Sequence, residues 1–231
     1  MVNYAPIVTY LDHELLPRFA QIVITPWLNK ELLWMVIPLI LIIFLVQAYF
    51  GRNRTEELGW NTAFGNAISL FWISVILARF VIESTPLDQL LQGKAVKSLI
   101  LIAVLFFWTV LLIVSDFFHA LPKKVAFFLS SEIPINITAY LFIVLIAGNI
   151  PLDKTTLLAG ITLLVYAIIF FALFRTIITP SEVAKRVLNF RRNKKREEKQ
   201  RRKEQRREKV QQWKEKVVTS LDVLKGRKPK V

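Results

Sequence analysis

The chain has 231 residues, of which 54% are hydrophobic, and a formal net charge of +14 at pH 7. Residues 1–181 hold 11 Lys and Arg against 10 Asp and Glu, whereas residues 182–231 hold 20 against 7, so the positive charge belongs to the C-terminal part. Cysteine is absent, which excludes disulfides, cysteine-ligated zinc, iron–sulfur clusters and thiol catalysis. Composition therefore separates an apolar body from a basic tail.

The N-terminal segment, residues 1–30, has no Lys or Arg before Arg18 and so lacks the basic start of a cleavable signal peptide. Residues 12–30 predict an amphipathic helix that begins at Asp12 and ends at Pro26. One helical face carries Leu15, Phe19, Ile22 and Val23. We expect this helix to lie along the membrane surface, with a re-entrant pore segment as the alternative.

Five apolar segments are long enough to cross a bilayer, which takes about 20 helical residues. They are residues 32–50, 60–82, 98–118, 133–150 and 156–178. The first, third and fifth are apolar on all sides, whereas a helix on the surface of a soluble protein keeps a polar face. The sequence therefore predicts an all-α, polytopic integral membrane protein whose residues 31–180 form a five-span transmembrane domain.

An odd number of spans places the two ends of the chain on opposite sides of the membrane. Basic residues mark the cytoplasmic side. The short loops alone give a weak bias, with four basic residues in the cytoplasmic loops against three in the outer ones. The basic tail decides the orientation, which we predict as N-terminus outside and C-terminus cytoplasmic.

The second span carries a stripe of small and polar side chains. Its members are Asn61, Thr62, Gly65, Asn66 and Ser69. Such stripes let membrane helices approach closely and hydrogen-bond to one another. The alternative is that the stripe lines a narrow aqueous path.

Ionisable residues within the spans are few and lie near span ends. Arg79 is followed four residues later by Glu83, so the two side chains can meet on one helical face. Asp116 and Arg175 fall at similar depth, where each is expected to reach water, with an ion pair between them as the alternative. No ionisable residue falls near the middle of a predicted span, which argues against a proton-coupled carrier.

The loop before the fourth span, residues 121–132, is expected to form a turn at the level of the lipid headgroups. Ser130 or Ser131 is the predicted N-terminal cap of the fourth span. Asn136, near the start of that span, could join a packing or pore-lining network with the polar stripe of the second span, or reach water with its amide.

Signatures of catalysis are missing from the sequence. His13 and His119 have no metal-ligand partner at helical spacing. The sequence contains no glycine-rich phosphate loop and no His-Glu-x-x-His motif. We therefore expect no enzymatic activity and no cofactor.

Residues 181–231 are predicted to form a basic cytoplasmic helix, because residues 182–225 contain neither Gly nor Pro. A disordered basic arm is the alternative. Residues 191–209 hold 12 Lys and Arg against 4 Glu. The basic positions are Arg191, Arg192, Lys194, Lys195, Arg196, Lys199, Arg201, Arg202, Lys203, Arg206, Arg207 and Lys209.

An apolar stripe follows the basic residues. Its members are Val210, Trp213, Val217, Leu221 and Leu224. The spacing is close to a heptad seam but covers only two repeats, so the coiled-coil signal is weak. The stripe would associate tails, dock on a partner or lie on a membrane.

These features favour a non-enzymatic membrane scaffold or recruitment component. Its basic tail would bind an anionic partner, with anionic lipid, RNA or the ribosome, and an acidic protein as the candidates. A tail that only fixes the orientation of the chain is the simpler interpretation. The alternative function, from another class, is a small oligomeric ion or solute channel with the second span along its path.

Overall fold

The computed structural model describes residues 10–224, with side chains described for residues 10–210 and for Trp213. Every regular element within that range is helical. A π-helical turn, Leu11–Leu15, leads into the first helix, and a 3-10 turn, Leu87–Gln89, lies between the third and fourth. The helices are α1 (Leu16–Leu28), α2 (Lys30–Arg52), α3 (Trp60–Ser84), α4 (Gly93–Phe117), α5 (Lys123–Leu129), α6 (Glu132–Ala147), α7 (Lys154–Ile177) and α8 (Glu182–Leu224).

Five helical segments are long and apolar enough to span a membrane, as expected for the predicted all-α membrane protein. They are α2, α3, α4, the combined segment Lys123–Ala147, and α7. The fourth segment differs from the prediction because it consists of two helices, the short α5 and the longer α6. The chain separates into two compact units, Met1–Thr179 with α1 to α7 and Pro180–Val231 with α8.

The fourth segment is the centre of the first unit. In its most apolar stretch 56% of residues are buried, against 22–28% in the other four segments. It also has the lowest mean hydropathy of the five, 1.7, whereas α2, α4 and α7 reach 2.5–2.7. Helices that face lipid must be apolar on all sides, whereas a helix wrapped by other helices can hold polar groups. The most polar span is therefore the one placed inside.

Helices α3 and α4 form the most extensive helix pair. Leu70 and Leu77 of α3 and Leu105 of α4 are almost completely buried, with the seven-residue spacing that returns to one helical face. Ser74 and Thr109 are buried beside them, and each hydroxyl donates to a backbone carbonyl of its own helix. Because lipid is as apolar as leucine, van der Waals packing rather than the hydrophobic effect holds such a pair together.

Two glycines allow close contact within the first unit. A Cβ at Gly51 of α2 would lie 2.8 Å from Cδ1 of Ile178, just beyond α7. A Cβ at Gly160 of α7 would lie 3.1 Å from Leu141 of α6. These positions, rather than Gly65 of α3, are where small residues bring segments together.

Helix α1 packs against the bundle through the face predicted from the sequence. Ile22, together with Leu15 from the π-helical turn before α1, is buried against α6 and α7. The prediction that Pro26 ends the helix is wrong, because α1 continues to Leu28. Proline has no N–H for the carbonyl of Ile22, four residues earlier. The hydroxyl of Tyr140 on α6 donates to that carbonyl instead, at 3.0 Å.

The start of α7 is fixed by a side-chain cap. Asp153 Oδ1 accepts from the backbone N–H of Thr156 at 2.7 Å, and Arg18 Nη2 donates to Asp153 Oδ2 at 3.1 Å. The hydrogen bond from the Thr156 backbone is the main reason that the pKa of Asp153 lies below its usual range, and the Arg18 charge adds to it. The cap therefore joins α7 to α1 through a carboxylate that favours its charged form.

The end of α7 is held by basic side chains. Arg54 Nη2 donates to the carbonyls of Arg175, Thr176 and Ile178 at 2.8–3.1 Å. These carbonyls belong to the last turn of α7 and the residue beyond it, where intrahelical donors run out and a cation also suits the helix dipole. Arg175 Nε in turn donates to Gln47 Oε1, 2.5 Å away on α2.

Candidate functional site

A buried carboxyl group anchors the turn between α5 and α6. Asp116, near the end of α4, is 2% exposed, and its Oδ2 accepts from Ser130 Oγ at 2.6 Å. Its other oxygen, Oδ1, is buried without a hydrogen-bond partner among the described residues. Ser131 is the N-cap residue of α6, as predicted, but its hydroxyl donates to the Phe128 carbonyl at 2.9 Å and makes no cap bond to α6, whereas Ser130 bonds to Asp116.

Three further polar side chains meet at the same turn. Asn66 Nδ2 of α3 donates to the Ser130 carbonyl at 2.8 Å. Asn136 Nδ2 donates to the Glu132 carbonyl at 2.8 Å and to Glu132 Oε2 at 3.3 Å. Glu132 and Asn136 are both buried, so the alternative in which Asn136 reaches water is wrong. We call Asn66, Asp116, Ser130, Glu132 and Asn136 the polar cluster.

The polar cluster contains two carboxyl groups and no basic side chain. Among the described residues, the carboxylates in ion pairs are those of Glu57, Glu83, Asp153 and Glu182. Neither Asp116 nor Glu132 is one of them. Because an isolated buried carboxylate is costly, a cation from outside the chain would stabilise such a group.

A groove of about 460 Å³ lies between α2, α3 and α6 and ends at the polar cluster. Its polar lining is Asn66, Ser69, Glu132 and Asn136. The other lining residues are apolar: Trp34, Met35, Pro38, Leu39, Ile42, Leu70, Ile73, Ile76, Leu77, Ile135, Ala139 and Ile143. Trp34, Ile42 and Ile76 are exposed, so the groove opens sideways on the surface that a bilayer would cover. We call it the lateral groove.

Most side chains of the polar stripe in the second span make no hydrogen bond to another helix among the described residues. Asn61, Thr62, Gly65 and Ser69 are exposed, and a Cβ added at Gly65 would meet no atom within 4 Å. Ser69 Oγ donates to the carbonyl of Gly65, which satisfies the hydroxyl within its own helix. Asn66 alone bonds to another element. Helix packing through this stripe is therefore not made within the described chain.

The intramembrane charges have separate partners. Arg79 Nε donates to Glu83 Oε1 at 2.7 Å, as the four-residue spacing predicts. Asp116 and Arg175 are not paired with each other. Asp116 accepts a hydrogen bond from Ser130 instead, and Arg175 donates one to Gln47. The expectation that Asp116 reaches water is also wrong, since it is almost completely buried.

His119 follows α4 in a left-handed conformation, with φ of 52°. Its ring stacks on Trp60 at a centroid distance of 4.1 Å and an interplanar angle of 29°. Trp60 opens α3, so the stack joins the start of α3 to the end of α4. Among the described residues, no three His, Cys, Asp or Glu side chains are grouped to hold a metal ion.

The second unit presents the basic residues on a helix. Helix α8 begins beside Ser181, whose Oγ accepts from the Ala184 N–H at 3.2 Å. Every residue from 191 to 210 is exposed. Val210 and Trp213 are exposed as well, whereas the side chains of Val217, Leu221 and Leu224 lie outside the described residues.

Sequence reasoning missed Glu132, Gln47 and the bond between Ser130 and Asp116. The predicted fourth span begins at residue 133, which places Glu132 in a solvated loop. One signal was available, because Glu132 and Asn136 are four residues apart at the start of the shortest predicted span. The burial of Gln47 and the bond between Ser130 and Asp116 depend on which helices are neighbours, and the sequence does not contain that information.

Among the residues that the structure describes, the lateral groove and the basic helix α8 are the features best suited to hold a ligand or a partner. Relatives of known activity would link one of them to a function. Comparison with protein-family models, with curated proteins and with solved structures finds no match to this chain.

Proposed function

We propose that the chain is a non-enzymatic integral membrane component that uses α8 to bind an anionic partner on the cytoplasmic side. The observation that carries the proposal is the exposure of all 12 basic side chains between residues 191 and 209. They outnumber the glutamates of this stretch three to one, and far fewer charges would orient a chain. The protein would act as a scaffold or recruitment component.

The charges of α8 are distributed unequally around the helix. With about 100° of rotation per residue, the basic positions cover roughly two thirds of the circumference. The remaining face is occupied by Asn193, Glu197, Gln200, Glu204 and Glu208. The helix therefore has a broad face that is basic apart from Glu198 and Gln205, and a narrow acidic and neutral face, and it can present the broad face to a surface while the other face stays in water.

The side chains after the basic stretch favour an anionic membrane surface over RNA or an acidic protein. Val210 and Trp213 fall on the same side of the helix as the basic face, by the same rotation per residue. Basic side chains beside an apolar patch are typical of helices that lie on a membrane, with tryptophan at headgroup level. Each Lys or Arg near such a surface contributes about 1 kcal/mol to binding.

A charge-exchange variant tests this proposal. It exchanges Glu197 with Arg202, Glu204 with Lys203 and Glu208 with Arg201, which keeps composition and net charge but removes the segregation of faces because the three exchanges span different angles around the helix. Full-length protein in nanodiscs is mixed with vesicles of neutral or anionic lipid, and co-sedimentation is measured. Binding to anionic vesicles only, weakened several-fold in the variant, is the expected result. Equal binding by the variant would show that binding depends on the net charge of the helix and not on how the charge is distributed around it.

Other partner classes are tested by purification from native membranes at low salt. Full-length protein is compared with a version that ends at Ser181. RNA, ribosomes or a specific protein that accompanies only the full-length chain would replace lipid as the partner. If neither these nor anionic vesicles distinguish the two versions, α8 does no more than orient the chain, and the recruitment proposal is wrong.

The proposed orientation has the N-terminus outside, the C-terminus in the cytoplasm and α1 at the membrane surface. It rests on the basic tail and on the positive-inside rule. Because the chain has no cysteine, a single introduced cysteine is a unique label. In intact cells, Gln92→Cys should react with a membrane-impermeant maleimide and Gln200→Cys should not. The reverse pattern would invert the topology.

A small oligomeric channel is the second candidate function. The specific observation is the polar stripe on α3, where Asn61, Thr62 and Ser69 are exposed rather than packed within the chain. Several copies with this face towards a common axis would surround a polar path. Vesicle flux by the purified protein tests the idea, with Thr62→Leu, at an exposed position of the stripe, expected to abolish flux without preventing assembly. Vesicles without flux would exclude it.

A further inference from the structure

The lateral groove has the shape and polarity of a site for an amphiphile. Its volume of about 460 Å³ falls within the range of small-molecule sites, about 300–1,000 Å³. Along α6 its lining extends from Glu132 to Ile143, a rise of roughly 16 Å at 1.5 Å per residue. Polar side chains occur only towards the start of α6. One end therefore suits a headgroup and the remainder suits one aliphatic chain.

The charge at the polar end selects the headgroup. Glu132 lines the groove and is 9% exposed, and Asp116 is joined to the same turn through Ser130. No basic side chain pairs with either carboxyl group among the described residues. The hydrogen bonds to the Glu132 carboxylate come from two neutral amides, Asn66 and Asn136, and the one from Asn136 is long, at 3.3 Å. A cationic headgroup would supply the missing charge and a stronger hydrogen bond.

The position of the opening indicates where the ligand comes from. Trp34, Ile42 and Ile76 are exposed along the groove, on helices that have the length and hydropathy of membrane spans. A ligand dissolved in the bilayer would enter sideways without passing through water. A charged group in the hydrocarbon region is expensive and usually functional, and here its neighbours leave it open to a ligand.

We propose that the lateral groove binds a single-chain membrane amphiphile with an ammonium headgroup, with Glu132 as the headgroup partner and α2, α3 and α6 around the chain. This site goes beyond the proposed function, because it uses no residue of α8. A variant that loses ligand binding in the lateral groove would still bind its anionic partner through α8, and the reverse also holds.

Photocrosslinking with matched probes tests the proposal. The probes are tetradecylamine, tetradecanol and tetradecyl sulfate, each with a diazirine in mid-chain, added to full-length protein in neutral maltoside micelles. We expect the amine to crosslink most and the sulfate least, with the modified peptides on α2, α3 and α6. Equal yields from the three probes would mean that the groove accepts any chain, and modification elsewhere would remove the site. Either result overturns the proposal.

Two variants and a control complete the design. Glu132→Gln keeps the shape and removes the charge, so competition by unlabelled tetradecylamine should weaken about tenfold, as expected for one charge-assisted hydrogen bond. Ser69→Phe places a large side chain in the groove from an exposed position and should abolish crosslinking by all three probes, which keeps the test valid if Glu132→Gln fails to fold. Glu83→Gln alters an exposed carboxylate of α3 and should change nothing. Unchanged amine binding in a folded Glu132→Gln variant would refute the headgroup assignment.

Discussion

The bond between Tyr140 and α1 gives the sharpest test of the packing. Pro26 leaves the carbonyl of Ile22 without its intrahelical donor, and the Tyr140 hydroxyl donates to it at 3.0 Å. Tyr140→Phe removes that donor while keeping the ring. Hydrogen bonds between membrane helices average about 0.6 kcal/mol and reach about 1.7 kcal/mol. We expect a loss of about 1–2 kcal/mol in unfolding free energy, at the upper end of that range, because the carbonyl loses a partner that its own helix cannot replace.

A double-mutant cycle separates this cause from a general loss of packing. Pro26→Ala restores an N–H to α1, so in that background the carbonyl keeps a donor and Tyr140→Phe should cost no more than about 0.6 kcal/mol. Unfolding by dodecyl sulfate titration of the full-length protein measures both costs. Tyr166→Phe, at an exposed tyrosine, is the control and should stay within about 0.5 kcal/mol. The same cost in both backgrounds would refute the role assigned to Pro26.

Three further predictions concern the ends of helices and a close contact. Gly51→Ala should destabilise the protein by about 1–3 kcal/mol through overpacking, whereas Gly65→Ala, which meets open space, should be neutral or slightly stabilising in the same unfolding titration. Arg54→Ala should speed amide hydrogen exchange in the last turn of α7 and leave its first turn unchanged, and uniform exchange across the helix would contradict the capping role. Since the pKa of Asp153 is lowered on folding, its stabilisation is complete above about pH 3.9, the unfolded value, and is lost as the pH falls through the folded pKa. Stability measured against pH should therefore differ between wild type and Asp153→Asn above that range and converge below it, and a constant difference would contradict the cap formed with Thr156.

Hydropathy and length were sufficient to predict the membrane-spanning helices. A lipid-facing helix must be apolar along its whole length, so the first, third and fifth spans were unambiguous from the sequence. The pair Arg79 and Glu83 was also predictable, because both residues lie on one helix at a fixed spacing. In each case the property depends on a single segment.

Properties that depend on neighbouring helices were not predictable. Asp116 was expected to reach water, as was Asn136 in one of its alternatives, yet both are buried because the central position of α6 brings three helices around them. Glu132 was assigned to a loop for the same reason. The groove, whose lining comes from α2, α3 and α6, has no signature in any one of those segments. The basic helix α8 is a different case, because its partner would lie outside the chain.

The central position of α6 also has a consequence for biogenesis. Chains are made and inserted from the N-terminus, so α2, α3 and α4 leave the ribosome before α6 does. The side chains that receive the start of α6, Asn66 and Asp116, are therefore already in place when that least apolar segment arrives. Helix α7 follows and covers the side that remains. The order of the helices along the chain thus shortens the time for which the carboxylate of Glu132 and the amide of Asn136 are exposed to lipid during synthesis.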